Sequence, residues 1–187
     1  MAARMKKSAI SNHKSAIYIG EVSPTRLGPV WVGVTDQGLA AVEFEIGKEA
    51  FMQRLKRRGF DPVLYDPRRT QQATRQIAEY LEGKRRDFDL PIDWSVLKPF
   101  QEQVLRATFA IPYGRVATYQ DIARQVGKTG AARAVGRAEA TNPMPLVIPC
   151  HRVIGTDGAL HGYGGPGGIP TKAWLLEMEG SNAHFRM

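Results

Sequence analysis

The chain changes character near residue 92, and this change limits the folds that are open to it. Residues 15–45 contain three short runs rich in β-branched and aromatic residues, with a turn at 35–38 between the last two. From residue 100 onward, apolar residues recur with the 3.6-residue period of helices. The sequence therefore predicts an α/β domain over residues 1–92, followed by a mainly helical domain over residues 93–187.

The predicted first domain combines strands with two helices. Its three strands and two helices are expected at 16–19, 30–34, 39–44, 48–58 and 70–81. Gly83 is placed to end the second helix, because glycine commonly follows the last helical residue. Residues 84–94 indicate a short extended strand and a linker. No constellation of catalytic side chains is visible in this half of the chain.

Two short helices around a glycine turn are predicted in the second half. An apolar face recurs along residues 100–111, and a proline–glycine break ends that helix. Thr118 begins the next helix, with Asp121 three residues further on in the arrangement of a capping box. A turn at 127–130 leads to a third helix, Ala131–Ala140. This order predicts a helix-turn-helix.

The exposed face of the third helix carries small residues and arginines. Ala132, Gly136 and Ala140 would allow close approach of another backbone, and Arg133 and Arg137 lie one turn apart. Small residues combined with arginine suit insertion into a groove of a nucleic acid, where phosphates attract the guanidinium groups. We therefore prefer DNA binding to the alternative of a helix-turn-helix that only faces solvent.

The charge of the chain also favours a polyanionic partner. Its 26 lysines and arginines exceed its 18 acidic residues, which gives a net charge of +8 and a pI near 9.8. Between residues 115 and 137, Asp121 is the only acid among five basic side chains. No apolar run approaches the length of a membrane span, and the basic, polar start does not resemble a signal peptide. We expect a cytoplasmic protein.

Cys150 is the only cysteine, which excludes an internal disulfide and a multi-cysteine zinc site. His151 and Arg152 follow it, and positive neighbours favour the nucleophilic thiolate, although a buried structural cysteine is the alternative. Adjacent side chains diverge, so His151 would act as a base through a water, oriented by a carboxylate. Glu177 and Glu179 are the candidates, and only one can serve because they point in different directions.

The segment Asn142–Val153 resembles the active-site signature of the O6-alkylguanine-DNA alkyltransferases. The resemblance runs from about Phe100 to Gly180 and extends weakly over the first domain. The other residues that carry it are Tyr119, Ala132–Gly136, Gly162–Gly165 and Trp174–Gly180. The fold that it implies is an N-terminal α/β domain with a ribonuclease-H-like sheet, followed by a mainly helical winged-helix DNA-binding domain.

The resemblance also implies catalytic roles. Cys150 would take the alkyl group from guanine O6 irreversibly, His151 would deprotonate the thiol through a water, and Glu179 would polarise the imidazole. Glu179 is chosen because it occupies the family's Glu-Gly pair. Tyr119 would donate a proton to the leaving guanine, and Asn142 would shape the turn that carries the cysteine. Tyr119 could instead be a core residue, and Asn142 an ordinary turn residue.

Further implied residues bind the DNA and the base. Arg133 would fill the stack that the flipped nucleotide leaves, because a base cannot be reached inside the duplex. Its companions at the DNA interface would be Ala132, Gln120, Lys128, Arg137 and Arg115. The base pocket would be formed by Tyr163, Gly164, Gly165, Met144 and the backbone of Val153.

Arg152, the other histidines and the glycine loop are not assigned catalytic roles. Arg152 is expected to hold backbone carbonyls rather than to act in catalysis. The remaining histidines have no visible partners and are expected at the surface: His13, His161 and His184. The glycine loop at 162–170 is about two residues longer than the common form of the family, and Gly164 stands where many members have serine.

The implied function is direct repair of O6-alkylguanine in DNA, and whether O4-alkylthymine is also a substrate stays open. No cofactor is expected, since the substrate and Cys150 supply both reactants. No structural zinc is expected either, since members that bind it use cysteines of the first domain and this chain has none there. The expected partner is double-stranded DNA, bound by a monomer that does not associate with a membrane. Two alternatives are a DNA-binding damage sensor or regulatory module with an inert cysteine, and a cysteine hydrolase, which would need a separate distal histidine.

Overall fold

The N-terminal half is built on a four-stranded mixed sheet. The computed structural model describes residues 15–181. The strands are β1 (Ile17–Val22), β2 (Val30–Thr35), β3 (Gly38–Phe44) and β4 (Val63–Tyr65), in the order β3-β2-β1-β4. The pairs β1–β2 and β2–β3 are antiparallel, whereas β1 and β4 run parallel. The two antiparallel pairs follow from short connections, and the parallel pair requires a crossover helix.

Two helices cover opposite faces of this sheet. Helix α1 (Lys48–Arg57) places Phe51 and Leu55 against one face, and helix α2 (Pro67–Leu81) places Ile77 and Tyr80 against the other. The side chains of the strands alternate between the apolar clusters on these two faces, because successive residues of a strand point to opposite faces. The N-terminal half therefore has a core on each side of its sheet.

Helix α2 begins three residues earlier than predicted. The carboxylate of Asp66 accepts hydrogen bonds from the backbone N–H groups of Arg68 and Arg69, and Pro67 occupies the first turn, where its missing N–H costs nothing. Gly83, with a φ of 70°, follows the end of the helix as expected. The sequence had placed the start at the first apolar-periodic residues rather than at this cap.

Two parts of the N-terminal half differ from the prediction. Strand β4 was not predicted, since it has only three residues and its pairing partner β1 lies more than forty residues earlier. The strand expected in residues 84–94 is reduced to one bridge between Ile92 and Leu39 at the edge of β3. Residues 94–96 instead form a short 3₁₀ helix.

The C-terminal half is mainly helical. Its helices are α3 (Pro99–Phe109), α4 (Tyr119–Gln125), α5 (Ala132–Ala140) and α6 (Gly168–Met178). Two short parallel strands, β5 (Ala117–Thr118) and β6 (Val153–Ile154), join the start of α4 to the segment after the cysteine. The Thr118–Asp121 capping box is present, and apolar residues of α3, α4 and α5 share one core. These contacts form the predicted helix-turn-helix.

A shared core joins the two halves behind the cysteine segment. Tyr80 and Ile77 of α2 belong to the same buried cluster as Leu146, Ile148 and Leu175 of the C-terminal half. The segment 142–150 is therefore packed between the N-terminal sheet side and α6. Among residues 15–181, no helix combines the length and the apolar character needed to cross a bilayer.

Candidate active site and nucleic-acid interface

Cys150 begins a 3₁₀ helix, Cys150–Arg152, and its side chain is buried. Asn142 braces the loop that leads to it. The Asn142 Oδ1 accepts a hydrogen bond from the N–H of Met144 at 3.0 Å, and its Nδ2 donates to the carbonyl of Ile148 at 2.8 Å. Leu146 in this loop has a φ of 73°, which residues other than glycine rarely adopt. The polar contacts of Asn142 hold this unusual turn.

The pKa of Cys150 is shifted in the opposite direction to the one expected. Burial raises the pKa of the thiol to about 12, and the charge of Glu139 adds to the rise, whereas a hydrogen bond with Asn142 opposes it. The expectation that positive neighbours favour the thiolate is wrong, because Arg152 is bound to a carboxylate and burial lowers the pKa of His151. At neutral pH the site holds a thiol, which must lose its proton to a base before it can attack.

The imidazole of His151 is paired with the carboxylate of Glu179. Nε2 lies 2.9 Å from Oε1, and both side chains are fully buried. Arg152 binds the same carboxylate through Nε and Nη2, each at 2.9 Å, and donates Nη1 to the carbonyl of Ile111 at 2.5 Å. The N–H of Gly114 donates to Oε2 at 3.2 Å. Arg152 is thus structural, as expected, but it holds a carboxylate as well as a carbonyl.

The structure shows which of the two candidate carboxylates contacts His151. Glu177 is exposed on α6, whereas Glu179 is buried at its C-terminal end. Burial alone would raise the pKa of Glu179, but hydrogen bonds and charges from His151 and Arg152 lower it well below its ordinary value. The Nδ1 of His151 has no hydrogen-bond partner within the described part of the chain. In residues 15–181 no group of three acidic, histidine or cysteine side chains could hold a metal ion.

Tyr80 of the N-terminal half reaches this pair. Its hydroxyl donates a hydrogen bond to Oε1 of Glu179 at 2.6 Å and lies 3.3 Å from Nε2 of His151. No constellation of catalytic side chains is visible in the sequence of the first half, yet this one side chain of that half contacts the His151–Glu179 pair. Tyr80 sits on the buried face of α2, where its sequence position indicates a core residue, and no local signal could have distinguished it.

Two further buried titratable groups were not predicted. Lys172 is fully buried on α6, and its Nζ donates to the carbonyls of Val153 at 2.6 Å and His161 at 3.2 Å. Glu139 is buried on α5, where Oε1 accepts from the hydroxyl of Thr108 at 2.5 Å. Oε2 of Glu139 has no partner among the described residues. Burial raises the pKa of this carboxyl to about 8 and lowers that of the Lys172 ammonium to about 8.

A cavity of about 400 Å³ opens between α5 and the glycine loop. Its walls are Tyr119, Ala132, Arg133, Gly136, Ala140, His161, Gly162, Tyr163 and Gly164. The predicted pocket residues Tyr163 and Gly164 therefore line it, together with three residues that were predicted to face DNA or to act as the proton donor. A Cβ at Gly164 would lie 2.2 Å from the carbonyl oxygen of Ala140, so this position admits no larger residue without movement.

Three predicted pocket residues do not line this cavity. Met144 is fully buried in the core shared by the two halves, and the Val153 side chain is buried in the core of the helix-turn-helix. The backbone of Val153 was expected in the base pocket, and its carbonyl accepts a hydrogen bond from Lys172. Gly165 lies beside the ring of Tyr163, where a Cβ would approach within 2.5 Å. Their roles in the structure are to support the wall rather than to form it.

Tyr119 lies on the cavity wall and is half-buried. Its hydroxyl donates to the carbonyl of His161 at 3.2 Å and lies 3.5 Å from Nζ of Lys172. Burial, with the charges of Glu139 and Cys150, raises the pKa of the phenol to about 12. His161 is exposed as expected, but its Nε2 has a partner in Asp157 at 3.2 Å. His13 and His184 lie outside the described residues.

The predicted DNA-facing residues lie on α4, α5 and the segments beside them, and their exposed side chains make up the predicted DNA surface. The exposed members of this set are Arg115, Gln120, Lys128, Arg133 and Arg137, and Ala132 is half-buried. Arg133 stands where this surface meets the cavity. Arg124, in contrast, is paired with Asp121 at 2.5 Å. The arrangement places free positive charge beside an opening that is large enough for a small molecule.

The sequence of the chain matches two family models. Residues 18–94 match the ribonuclease-like domain of 6-O-methylguanine DNA methyltransferase, and residues 99–181 match its DNA-binding domain. The chain belongs to the 6-O-methylguanine DNA methyltransferase family. It is 39% identical over 161 residues to the methylated-DNA–protein-cysteine methyltransferase of Salmonella typhimurium, which covers 83% of this chain and 92% of that protein. With the inducible enzyme of that name from Bacillus subtilis, identity is 36% over 158 residues, covering 84% and 82%.

Solved structures of methyltransferases have the same fold. The crystal structure of Mycobacterium tuberculosis OGT in complex with DNA superposes with a TM-score of 0.72 at 34% identity and covers 87% of this chain and 92% of that one. The O6-methylguanine-DNA methyltransferase from Pyrococcus kodakaraensis gives 0.59 at 26% identity, covering 88% and 99%. The family resemblance and the predicted two-part fold are confirmed. The division at residues 92 and 93 stays a prediction.

Proposed function

We propose that this methyltransferase repairs DNA directly, by moving the alkyl group of an O6-alkylguanine to the sulfur of Cys150. The observation that carries the proposal is a single buried cysteine after a braced turn, directly followed in sequence by the His151 of the His151–Glu179 pair, in the half of the chain that also carries the exposed basic side chains around the helix-turn-helix. Relatives that align over most of this chain are named methylated-DNA–protein-cysteine methyltransferases. In this step the S–C bond forms while the bond from carbon to guanine O6 breaks.

The thiol proton needs an acceptor, because a pKa of about 12 leaves almost no thiolate at neutral pH. His151 is buried in its neutral form, and its Nδ1 is not engaged by another described group. We assign Nδ1 as the base, acting through one bridging water. The Glu179 carboxylate then stabilises the imidazolium that forms, as in other nucleophile–histidine–carboxylate arrangements.

The leaving guanine needs a proton at the other end of the reaction. Tyr119 lines the cavity, and the pKa of about 12 keeps its phenol protonated throughout the physiological range. We assign it as the donor to the departing base. Lys172, close to the phenol oxygen, would stabilise the phenolate that this transfer leaves behind.

The duplex would bind along the helix-turn-helix, with α5 in a groove. Ala132 and Gly136 permit close approach, and Arg133 stands at the rim of the cavity, where it can replace the flipped nucleotide in the stack. The cavity of about 400 Å³ falls within the usual 300–1,000 Å³ of small-molecule sites. The phosphates would be held by Gln120, Lys128, Arg137 and Arg115. We further propose action as a monomer in the cytoplasm on double-stranded DNA.

The test is transfer of label from a duplex that carries O6-methylguanine with a labelled methyl group. We expect one label per protein molecule, on Cys150, and no turnover, because a thioether has no good leaving group. Cys150→Ser should bind the same duplex and accept no label, since a serine hydroxyl is far less acidic than a thiol. Tight binding without any transfer by the unaltered protein would favour a damage sensor. Label transfer to an O4-methylthymine duplex would extend the substrate range.

A further inference from the structure

We propose that Tyr80 is a positioning residue that fixes His151 in the tautomer needed for catalysis. The proposal rests on the proposed function, because it concerns the base that deprotonates Cys150. Its basis is the geometry at Oε1 of Glu179, where the Tyr80 hydroxyl and the His151 ring nitrogen meet. It also gives the N-terminal half of the chain a specific part in the reaction.

The single proton of the Tyr80 hydroxyl is committed to Glu179. A carboxylate can only accept hydrogen bonds, and the Tyr80 oxygen lies 2.6 Å from Oε1, so the hydroxyl must donate there. The carboxylate stays ionised, since its pKa is held well below the ordinary value. The phenol in turn stays protonated, because burial and the charge of Glu179 raise the pKa of Tyr80 well above 10. The Tyr80 oxygen therefore offers only lone pairs to its other neighbour.

That other neighbour is Nε2 of His151. It lies 2.9 Å from the Glu179 carboxylate oxygen and 3.3 Å from the Tyr80 oxygen, so both groups that face it are acceptors. Nε2 must then carry the hydrogen, and the neutral imidazole must have its lone pair on Nδ1. Nδ1 is the nitrogen that no other described group engages, and it is the one assigned as the base.

Tyr80 is rigid enough to impose this arrangement. It is fully buried, and its ring packs against Phe88 at 5.2 Å and edge-on against Tyr113 at 6.4 Å between ring centres. It is anchored on α2, whose neighbouring residues pack on the N-terminal sheet. Arg152 holds the Glu179 carboxylate from another direction, so the two oxygens cannot rotate away from the phenol. The same contacts serve the imidazolium, because its Nε2–H keeps both acceptors after Nδ1 takes the thiol proton.

The experiment measures the tautomer and the rate in parallel. The protein is labelled with ¹⁵N-histidine, and the signals of His151 are assigned by their loss in His151→Gln. In the unaltered protein we expect the Nε2–H form alone. In Tyr80→Phe we expect a measurable share of the Nδ1–H form. We also expect a single-turnover methyl-transfer rate roughly ten- to a hundredfold lower, by analogy with the loss of outer partners that orient metal-binding histidines.

Tyr113→Phe is the matched control. It removes a neighbouring phenol whose hydroxyl donates to the carbonyl of Met178 rather than to the His151–Glu179 pair. This variant should keep the tautomer and the rate of the unaltered protein. A purely structural role for Tyr80 would lower the melting temperature without changing the tautomer, and that result would overturn the proposal.

The outcomes separate this proposal from the proposed function. Normal methyl transfer with a Nδ1–H tautomer in the unaltered protein would overturn the role of Tyr80 while the function stands. Normal rate and tautomer in Tyr80→Phe would do the same. If Tyr80→Phe does not fold, an Nδ1–H form in the unaltered protein would still overturn the proposal. Absence of methyl transfer by the unaltered protein would contradict the function, and the tautomer measurement would still judge the hydrogen-bond geometry.

Discussion

The ammonium group of Lys172 donates a hydrogen bond to the carbonyl oxygen of Val153, at 2.6 Å. Val153 begins β6, directly after the 3₁₀ helix that starts with Cys150. The same ammonium donates to the carbonyl of His161, directly before the glycine loop, and lies near the phenol of Tyr119. One buried cation on α6 thus ties together the cysteine segment, the loop over the cavity and the proposed proton donor.

Lys172→Met should lower both stability and rate. It would remove the Lys172 donor from the buried carbonyl oxygen of Val153, at a cost of about 1–3 kcal/mol where water cannot replace it. The carbonyl of His161 would keep the hydroxyl of Tyr119 as a donor. The substitution would also remove a charge that lowers the pKa of Cys150, so the thiol would become harder to deprotonate. The single-turnover rate of Lys172→Met should therefore be lower than that of the unaltered protein. Its increase with pH should occur at a higher pH. Lys84→Met, at an exposed surface pair, is the control; equal effects of the two variants would contradict this role for Lys172.

The elements that could be predicted from the sequence depend on nearby residues. The helix-turn-helix was found because its cap, Thr118 with Asp121, and its turn glycines lie within the segment they shape. Strand β4 was missed because three residues carry almost no periodic signal, and only its distant partner β1 makes it a strand. The predicted start of α2, residue 70, was three residues too late because the apolar period was given more weight than the cap at Asp66.

The difference between nearby and distant residues also explains which parts of the candidate site could be predicted. Asn142, Cys150 and His151 stand close together in the sequence, and the family's Glu-Gly pair indicated Glu179, so their proximity could be anticipated. Tyr80, Glu139 and Lys172 come from three different helices. Each occupies a position that a helix normally gives to its core. Only the packing of the helices brings the Tyr80 hydroxyl to the His151–Glu179 pair and the charges of Glu139 and Lys172 close enough to affect Cys150.

Glu139→Gln should change how stability depends on pH. The pKa of Glu139 is about 8 in the folded protein against an ordinary 4.5, so between these values the folded state keeps a proton that the unfolded chain releases. This group therefore makes the protein less stable as pH rises from 4.5 to 8. Glutamine cannot release a proton, so the variant should lose this contribution.

Urea unfolding at several pH values measures the effect. The lowered pKa of His151 acts in the opposite direction near pH 6.5, but it is common to both proteins and cancels in the comparison. The free energy of unfolding of Glu139→Gln, relative to the unaltered protein, should rise from pH 5 to pH 8. Glu177→Gln, which changes an exposed carboxylate on α6, should show no such trend. A pH-independent difference for Glu139→Gln would mean that this carboxyl does not titrate in the window.

Arg133→Ala should slow repair of duplex DNA more than repair of single strands. If the guanidinium fills the stack, its loss raises the cost of flipping the base, and a single strand needs less unstacking. The ratio of transfer rates on the two substrates should therefore increase in favour of single strands. Arg124→Ala, which removes an arginine paired with Asp121, should leave that ratio unchanged. Equal losses for Arg133→Ala on both substrates would argue against intercalation.

DNA affinity should fall steeply with salt. Free basic side chains around the helix-turn-helix would release counterions from a handful of phosphates, so log Kd should increase linearly with log salt concentration. Arg137→Ala should reduce the slope by about 1, as expected for the loss of one phosphate contact. Fluorescence titrations from low to physiological salt measure both slopes. An affinity that does not respond to salt would contradict the proposed surface.

Alkylation of Cys150 should destabilise the protein. The thiol is almost fully buried, and an added methyl group in a closely packed site costs roughly 1–3 kcal/mol. A thioether also cannot become the thiolate that the hydrogen bond from Asn142 stabilises, so this contact would be weakened. Strain at this turn would pass to α5, whose C-terminal end lies just before Asn142.

The modified protein should therefore melt at a lower temperature and bind DNA less tightly. For a protein of this size, each 1 kcal/mol corresponds to roughly 2–4 °C in the melting temperature. Benzyl transfer should lower the midpoint more than methyl transfer, because the larger group needs more space behind the cavity. Thermal melts of the unmodified, methylated and benzylated forms measure this order. Identical midpoints would mean that the packing around Cys150 accommodates the alkyl group, and that repair does not weaken the hold of α5 on DNA.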